Sequence, residues 1–308
     1  MNYFNKSIAF VFAFLTLTLF SLSFALSVNA QQTLYSCERG SDEEPFLHTI
    51  NPNTGATIST TEMTLEGRTV RGCNGMAKHP QTNVCYVMLN ITPDPDAGPT
   101  PPRILATIDQ NTGVTTAIGA ADRTFATIAF TADGTLYGVT GDGGSTPETL
   151  FTIDPDTGAT SFVMALGNGS DGEAIAYNFN NNLMYHTSGI DTINVDNIFE
   201  SINLGNNSIS PITISGDTSN WDEQTALVQL SANTFLTAQR GDEALHSITT
   251  SGVVTQIGEM DHVSKGLAFD CGGTVDIPTM SEWGLITTVL GLGLVSFFVL
   301  RRRSAFQK

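Results

Sequence analysis

The sequence has little positive charge. Its 308 residues include 13 Lys and Arg but 30 Asp and Glu, which gives a net charge of −17. A nucleic-acid-binding surface needs clustered basic residues to neutralise phosphates, so this class of function is excluded. Charged residues of either sign make up only 14% of the chain, against about 25% in average globular proteins. The 41% of hydrophobic residues still supply enough apolar surface for a core, which excludes intrinsic disorder.

The common catalytic and metal-binding signatures are also missing. The four cysteines form no CxxC pair, the five histidines form no HExxH or close pair, and no GxSxG elbow or Walker loop occurs. Residues 167–172 match GxGxxG and Asp191 follows, but a dinucleotide site needs a helix next. Residues 173–177 continue with the pattern of a strand instead, so we predict a glycine-rich loop here.

The two ends of the chain carry targeting signals. Residues 1–30 are predicted to be a signal peptide, with Lys6 before the apolar run Ile8–Leu26 and Ala30 at the cleavage site. The run is long for a signal peptide, so an uncleaved anchor is the alternative. Near the other end, residues 284–300 form an uncharged apolar span, which we predict to be a transmembrane helix. The basic tail 301–308 follows it and places the preceding chain outside the cytoplasm.

The residues around this span resemble the IPTL-CTERM sorting signal of Gram-negative bacteria. The motif has Met280 where the family has Leu and lies in the linker 273–283. The matching residues are Ile277, Pro278, Thr279, Met280, Ser281, Glu282, Trp283 and Gly284, followed after the span by Arg301, Arg302 and Arg303. The resemblance implies processing by signal peptidase and an exosortase-type enzyme. It also implies an inner-membrane-anchored precursor that is transferred to the cell surface or extracellular matrix.

The exported region is predicted to span 31–272 and is strongly acidic. Residues 31–276 hold 8 basic and 29 acidic residues, a net charge of −21. Such a charge favours solubility and disfavours contact with anionic lipid. It is compatible with divalent cations and with neutral or cationic partners.

A hairpin module repeats along this region. It has a short strand, a turn of the form Asp/Asn-Pro-x-Thr-Gly and a Thr/Val/Ile-rich return strand, in which Pro, Asx and Gly each favour the turn. The three strong copies and two weaker ones are Leu47–Gly55, Leu105–Gly113, Leu150–Gly158, Phe199–Asn203 and Leu245–Thr249. Their starts are 58, 45, 49 and 46 residues apart.

A second hairpin module precedes each of these copies. The best example is Ile128–Val139, two strands joined by Asp-Gly, and relatives start near Met76, Ile175, Thr225 and Leu267. Two hairpins in about 45 residues give the four strands of a β-propeller blade. The pattern resembles secreted bacterial propellers with LYTIDPxTG-like hairpins, which implies an all-β fold but no particular function.

The ends of the repeat array predict ring closure. The last copy, 266–271, stops after its first strand, whereas Thr33–Ser36 matches a second strand, so one blade is built from both ends. We predict five blades, or six if the 58-residue step hides a strand pair. The proline-rich insertion 92–102 explains most of that step as a loop.

Repeat alignment also selects candidate ligand-binding residues. Residues that enter each innermost strand line the central funnel of a propeller, and the alignment places Asn74, Ala126, Glu173, Glu223 and Lys265 there. The two carboxylates and the amide are oxygen donors suited to Ca²⁺ or a polar ligand. Lys265 argues against a simple cation site and is expected to pair with Glu173 or Glu223. A solvated channel mouth is the alternative.

The cysteines and acidic turns have structural explanations. Cys37, Cys73, Cys85 and Cys271 are an even number in an exported region, and we predict Cys37–Cys271 and Cys73–Cys85 disulfides. Asp-rich turns such as 154–158 and 142–144 have too few carboxylates for a calcium loop. His48 and His246 share one repeat position, which favours a packing role.

These observations predict a non-enzymatic, surface-displayed propeller with no cofactor. Its loops are expected to bind envelope or matrix polysaccharide. The alternative is a calcium-dependent hydrolase or lyase whose site lies in the funnel.

Overall fold

The protein is an all-β propeller. The computed structural model describes residues 32–38, 45–92, 103–141, 148–167, 172–189, 197–219, 221–241 and 243–270, and these lie in one compact unit, Gln32–Gly273. The described residues form 22 strands and no helix, and so none of them provides a membrane-spanning helix. The predicted signal peptide, sorting motif, transmembrane span and basic tail lie outside the described residues.

The strands follow the predicted repeats. The first three are β1 (Leu34–Glu38), β2 (Phe46–Ile50) and β3 (Thr57–Glu62). The next five are β4 (Thr64–Leu65), β5 (Val70–Lys78), β6 (Cys85–Ile91), β7 (Arg103–Ile108) and β8 (Val114–Ala121). Two groups of four follow: β9 (Phe125–Phe130), β10 (Leu136–Thr140), β11 (Thr149–Ile153), β12 (Thr160–Ala165), then β13 (Gly172–Asn178), β14 (Leu183–Ser188), β15 (Ile198–Asn203), β16 (Ser208–Pro211). The last are β17 (Ser215–Gly216), β18 (Gln224–Ser231), β19 (Thr234–Gln239), β20 (Ala244–Thr249), β21 (Val253–Glu259) and β22 (Ser264–Phe269).

Five sheets form a closed ring. Blades 1 to 4 are built from β5–β8, β9–β12, β13–β16 and β18–β21, and blade 5 has the order β22-β1-β2-β3. The innermost strands β5, β9, β13, β18 and β22 each contact the next around the ring, and β22 contacts β5. The five-bladed prediction is therefore confirmed, and the six-bladed alternative is wrong.

Blade 5 closes the ring as the repeat pattern predicts. Strand β22, from the C-terminal end of the described chain, pairs antiparallel with β1, with Leu34 opposite Phe269 and Cys37 opposite Gly266. This pairing covers the edges that β1 and β22 would otherwise expose. Blades 1 and 4 each gain a two-residue outer strand that the sequence did not predict: β4 pairs parallel with β8, and β17 with β21.

The repeated turn serves both the hairpin and the blade interface. In the 154–158 turn, Asp154 Oδ1 accepts hydrogen bonds from the backbone N–H groups of Asp156 (2.8 Å) and Thr157 (3.2 Å), as expected for turn chemistry rather than a calcium loop. Gly113 occupies the last position of its turn with φ 72°. A Cβ there would lie 2.1 Å from the Glu62 carbonyl oxygen of the neighbouring blade. The motif therefore ends in Gly because of both its backbone conformation and this close approach.

The hydrophobic core is divided among the blade interfaces. Each of five buried clusters joins residues of two adjacent blades. Phe125 of blade 2, for example, is fully buried in the cluster that contains Met88 of blade 1. Burying such a side chain stabilises the fold by about 1.5–3 kcal/mol. Because every blade depends on its neighbours in this way, the ring is stabilised as a whole.

The predicted disulfide pairing is wrong. Cys37 on β1 bonds Cys73 on β5, with their Cα atoms 6.0 Å apart, and Cys85 is also disulfide-bonded. Cys271 lies outside the described residues. Cys73 and Cys85 are four register positions apart on paired strands, or about 13 Å, which is too far for a bond. Cys37 reaches blade 1 because Gly266 has no side chain: a Cβ there would lie 2.8 Å from Cys37 Sγ.

Candidate functional site

A β-bulge recurs in every innermost strand. At this bulge one residue is skipped in the strand pairing of β9, β13, β18 and β22, and two are skipped in β5. Strands β5 and β18 each have a second register shift, at Arg71 and Leu230 respectively. A bulge redirects a side chain and increases the local twist. The residues skipped at the recurring bulge are Asn74 with Gly75, Ala126, Glu173, Thr225 and Lys265. They lie at one level near the N-terminal ends of the innermost strands, and we call this end of the channel, with the adjacent Glu223, the polar mouth.

One of the five predicted funnel residues, Glu223, does not occupy the bulge position. Asn74, Ala126, Glu173 and Lys265 occupy the bulge position, although the side chain of Glu173 lies outside the described part of the structure. In β18 the bulge residue is Thr225, not Glu223. The repeat alignment is off by two residues in this blade, because Leu227 and not Thr225 has the pairing position of Ile128.

Ion pairs and amides fill the polar mouth. Glu223 Oε2 lies 3.0 Å from Arg240 Nη1, and Glu223 Oε1 lies 3.7 Å from Nζ of the buried Lys265. On blade 1, Asn90 Nδ2 donates a 2.5 Å hydrogen bond to Asn74 Oδ1, and Arg103 donates to Asn90. Two cations therefore compensate the charge of Glu223. The expected pairing of Lys265 with Glu223 is confirmed.

An apolar pocket lies at the opposite end of the channel. It has a volume of about 340 Å³ and is lined by three consecutive residues from the C-terminal half of each innermost strand, so that all five blades contribute. Its aromatic side chains are Phe130, Tyr177, Phe179 and Phe269. We call this cavity the apolar pocket. Its size is within the range of small-molecule sites, about 300–1,000 Å³.

Hydrogen bonds fix one wall of the apolar pocket. Gln229 of blade 4 donates to Asn178 Oδ1 (3.0 Å) and Asn180 Oδ1 (2.9 Å), and accepts from the Phe179 backbone N–H (3.0 Å). The Phe179 ring contacts Tyr177 edge-on with 5.2 Å between centroids and is 46% exposed. The wall therefore presents a preformed aromatic face to the pocket.

The electrostatics of the apolar pocket are simple. Lys78 is the only charged side chain among the described residues that line it. Burial, and secondarily the negative charge of Asp133, raise the pKa of Tyr177 above its usual value, so its phenol stays neutral and donates a hydrogen bond to Asn182 (3.1 Å). The pocket thus combines aromatic surface, amides and one ammonium group.

A second cluster of polar side chains lies in blade 5. The His48 and His262 rings stack with 3.7 Å between centroids and 12° between planes. Asp261 Oδ1 lies 3.0 Å from His262 Nδ1, and Glu38 Oε2 lies 3.2 Å from His48 Nε2. We call these four residues the closing corner, because Glu38 and His48 come from β1 and β2 and the other two from the β21–β22 connection.

Burial controls protonation in the closing corner. Loss of solvation, together with the neighbouring His48, lowers the pKa of His262 to about 4, so this imidazole is neutral at pH 7. Hydrogen bonds from His262 and from the Thr57 hydroxyl (2.5 Å) lower the pKa of Asp261, which keeps it ionised. At neutral pH the corner therefore contains a neutral imidazole beside a carboxylate.

The closing corner also has the connectivity of a nucleophilic triad. Ser36 Oγ lies 2.7 Å from His262 Nε2, on the opposite side of the ring from Asp261. Ser36 is, however, fully buried. No substrate carbonyl reaches its hydroxyl in this conformation, so the arrangement does not serve as a nucleophile.

Sequence reasoning missed both the apolar pocket and the closing corner. The shared repeat position of His48 and His246 is confirmed, since both face the second strand of their blades. His262, however, becomes a neighbour of His48 only through ring closure. Its signal in the sequence was the pair Asp261–His262, which aligns with Asp122–Arg123 before β9. The predicted strand after the glycine-rich loop is confirmed as β13.

The fold and channel define a five-bladed β-propeller. No protein-family model and no curated protein matches the sequence. Among solved structures, a protein of unknown function from Bacteroides thetaiotaomicron is 12% identical with a TM-score of 0.49, and the match covers 78% of this chain and 58% of that one. The major allergen Mala s 1 of Malassezia sympodialis is 12% identical with a TM-score of 0.48, covering 73% of this chain and 75% of that one. The match thus spans less than two thirds of the first structure's length.

Proposed function

We propose that the protein is an exported, surface-sorted propeller that binds a saccharide in the apolar pocket and has no enzymatic activity. The observation that carries the proposal is the pocket itself, to which all five blades contribute a preformed wall. Preformed cavities with mainly apolar walls and a few placed polar groups are typical of binding sites.

The chemistry of the pocket supports a sugar unit as the ligand. The apolar faces of a pyranose ring pack on aromatic side chains, and Phe179 and Tyr177 offer such surfaces. An amide group such as that of Asn83 exchanges hydrogen bonds with hydroxyls. Lys78 favours a carboxylated sugar over a neutral one, because its ammonium group pairs with a carboxylate.

Two phenylalanines provide the test. Phe179 lines the apolar pocket and is 46% exposed, whereas Phe162 is 66% exposed on β12, at the outer edge of blade 2. Calorimetry with oligomers of alginate, a uronate polymer, and of dextran, a neutral one, is expected to show binding with alginate preferred. Phe179→Ala is expected to weaken that binding about tenfold, the loss of one aromatic contact, and Phe162→Ala to leave it unchanged.

Failure of this test takes a clear form. If neither oligomer binds, or if both variants weaken binding equally, the apolar pocket is not the saccharide site. Lys78→Met separates the two sugars: the preference for alginate over dextran is expected to disappear while dextran binding persists.

The enzymatic alternative has less support. A calcium-dependent hydrolase or lyase in the funnel requires free carboxylates, but Glu223 is paired with Arg240 and Lys265. Ser36 in the triad-like chain is buried. No feature of the described residues favours a reaction over binding.

Surface sorting rests on the C-terminal motif alone. Deletion of residues 278–283 is expected to leave the protein in the membrane fraction, whereas the full chain moves to the cell surface or matrix. An unchanged distribution between these fractions would reject processing by an exosortase-type enzyme. Because the deletion leaves the propeller intact, saccharide binding serves as the folding control.

A further inference from the structure

We infer that the closing corner is a binding site for a divalent transition-metal ion such as Zn²⁺, with His48, His262 and Asp261 as ligands and Glu38 as a fourth donor. Donor atoms of the first three residues lie within 4.8 Å of one another. Imidazole nitrogens with one or two carboxylate oxygens are a common ligand set for zinc.

The arrangement around each ring supports this role. His48 Nδ1 is hydrogen-bonded to the Thr60 hydroxyl (3.2 Å), and His262 Nε2 to the Ser36 hydroxyl (2.7 Å). Without an ion, the other nitrogen of each ring donates its proton to a carboxylate, Glu38 or Asp261. A hydroxyl accepts a hydrogen bond as readily as it donates one, so on ion binding each ring can carry its proton on the hydroxyl side instead. The lone pair that faces the carboxylate is then free for the ion. Outer-shell bonds of this kind orient metal-binding histidines.

The charges of the closing corner suit a cation. The two carboxylates balance the charge of a divalent ion.

Binding requires a small rearrangement. In a tetrahedral zinc site the donor atoms lie about 3.3 Å apart, and the stacked rings have to turn their edge nitrogens toward each other. Asp261 supplies the adaptable donor and the route of entry, since its side chain is 67% exposed. The bound ion would bridge β1 and β2 to the β21–β22 connection. It would therefore stabilise the blade that closes the ring.

The experiment uses the purified full chain without a histidine tag. Titration with ZnCl₂ by calorimetry is expected to give one site per chain and to raise the melting temperature, whereas CaCl₂ and MgCl₂ do neither. Asp261→Asn is expected to weaken zinc binding at least tenfold. Glu38→Gln is expected to weaken it by a smaller factor, because Glu38 is the outlying donor.

Asp122→Asn is the matched control. Asp122 has the same repeat position as Asp261 and likewise accepts a hydrogen bond from a threonine, Thr160 (2.6 Å), but Arg123 follows it in place of a histidine. Zinc binding is expected to change less than twofold in this variant. The inference is overturned if the wild-type chain shows no zinc binding at one equivalent, or if Asp261→Asn and Asp122→Asn bind zinc equally well.

Discussion

The connections that enter blades 2 and 5 occupy equivalent positions in the repeat and share a Thr–Asp hydrogen bond, which we call the shared frame. They differ in the side chains that stack beside this bond. Before blade 2, Asp122 accepts a hydrogen bond from Thr160, and the Arg123 guanidinium lies 5.3 Å from the centroid of the Phe151 ring. Before blade 5, Asp261 accepts a hydrogen bond from Thr57, and His262 stacks on His48. His48 and Phe151 have the same register position, opposite Ser36 and Gly138 respectively.

The Thr–Asp hydrogen bond is common to both connections, whereas the stacked pair of side chains varies between them. The Thr–Asp bond recurs because it joins the outer strand of one blade to the connection that enters it. The stacked pair differs: a cation on a phenyl ring contributes to packing and electrostatics, whereas two imidazoles beside carboxylates offer the nitrogen and oxygen atoms of the metal site proposed above. The repeat thus fixes the backbone arrangement, and single side-chain differences between the repeats decide which ligands a connection can bind.

The largest expected difference concerns how the two blades are closed. Blade 2 is continuous in sequence, but blade 5 is assembled from both ends and is tied to blade 1 by Cys37–Cys73. The bond closes a loop across a sequence separation of 36 residues, so its loss should lower the free energy of unfolding by about 3–4 kcal/mol. Denaturant unfolding of the Cys37→Ser/Cys73→Ser variant measures this loss. A loss below about 1 kcal/mol would show that the closure does not depend on the disulfide.

The next difference is in pH dependence. His262 has a folded pKa of about 4 instead of 6.5, so between these values the unfolded chain binds a proton that the folded chain does not. The free energy of unfolding therefore falls as the pH drops from 6.5 to 4, by on the order of 3 kcal/mol from this group. Unfolding curves of His262→Asn should lack this part of the slope, and an unchanged slope would contradict the assignment.

The smallest expected effect tests whether the two Thr–Asp hydrogen bonds contribute equally to stability. Thr57→Val and Thr160→Val each remove a hydroxyl that donates to an aspartate. Each should lower the free energy of unfolding by about 1 kcal/mol, and the two values should agree. Unequal values would show that the two corners are not energetically equivalent.

Local sequence signals predicted most of the fold. Turn residues such as Asp154 and Gly113 report backbone geometry directly, and the strand pattern at 33–36 and 266–269 predicted closure. These signals are reliable because they act within a few residues. The short strands β4 and β17 were missed, since nothing in two residues specifies parallel pairing to the next sheet.

The candidate sites were harder to predict because they depend on contacts between residues that are distant in the sequence. The apolar pocket arises where five distant strands end together, and the closing corner arises only when β22 meets β1. Glu223 was misplaced because one two-residue shift in a weak repeat moves the alignment without changing the strand pattern. The disulfide was mispaired because the space over Gly266 is a property of ring closure, not of spacing along the chain.

The most direct test replaces the stacked side chains of the closing corner by the pair found at the equivalent position before blade 2. The double variant His48→Phe/His262→Arg places the aromatic–cation pair of blade 2 in blade 5. The measurement is the zinc-induced rise in melting temperature at pH 7, compared with wild type, together with the free energy of unfolding without zinc. The account predicts that the rise disappears, while the unfolding free energy stays within about 1–2 kcal/mol of wild type. An undiminished rise would contradict it.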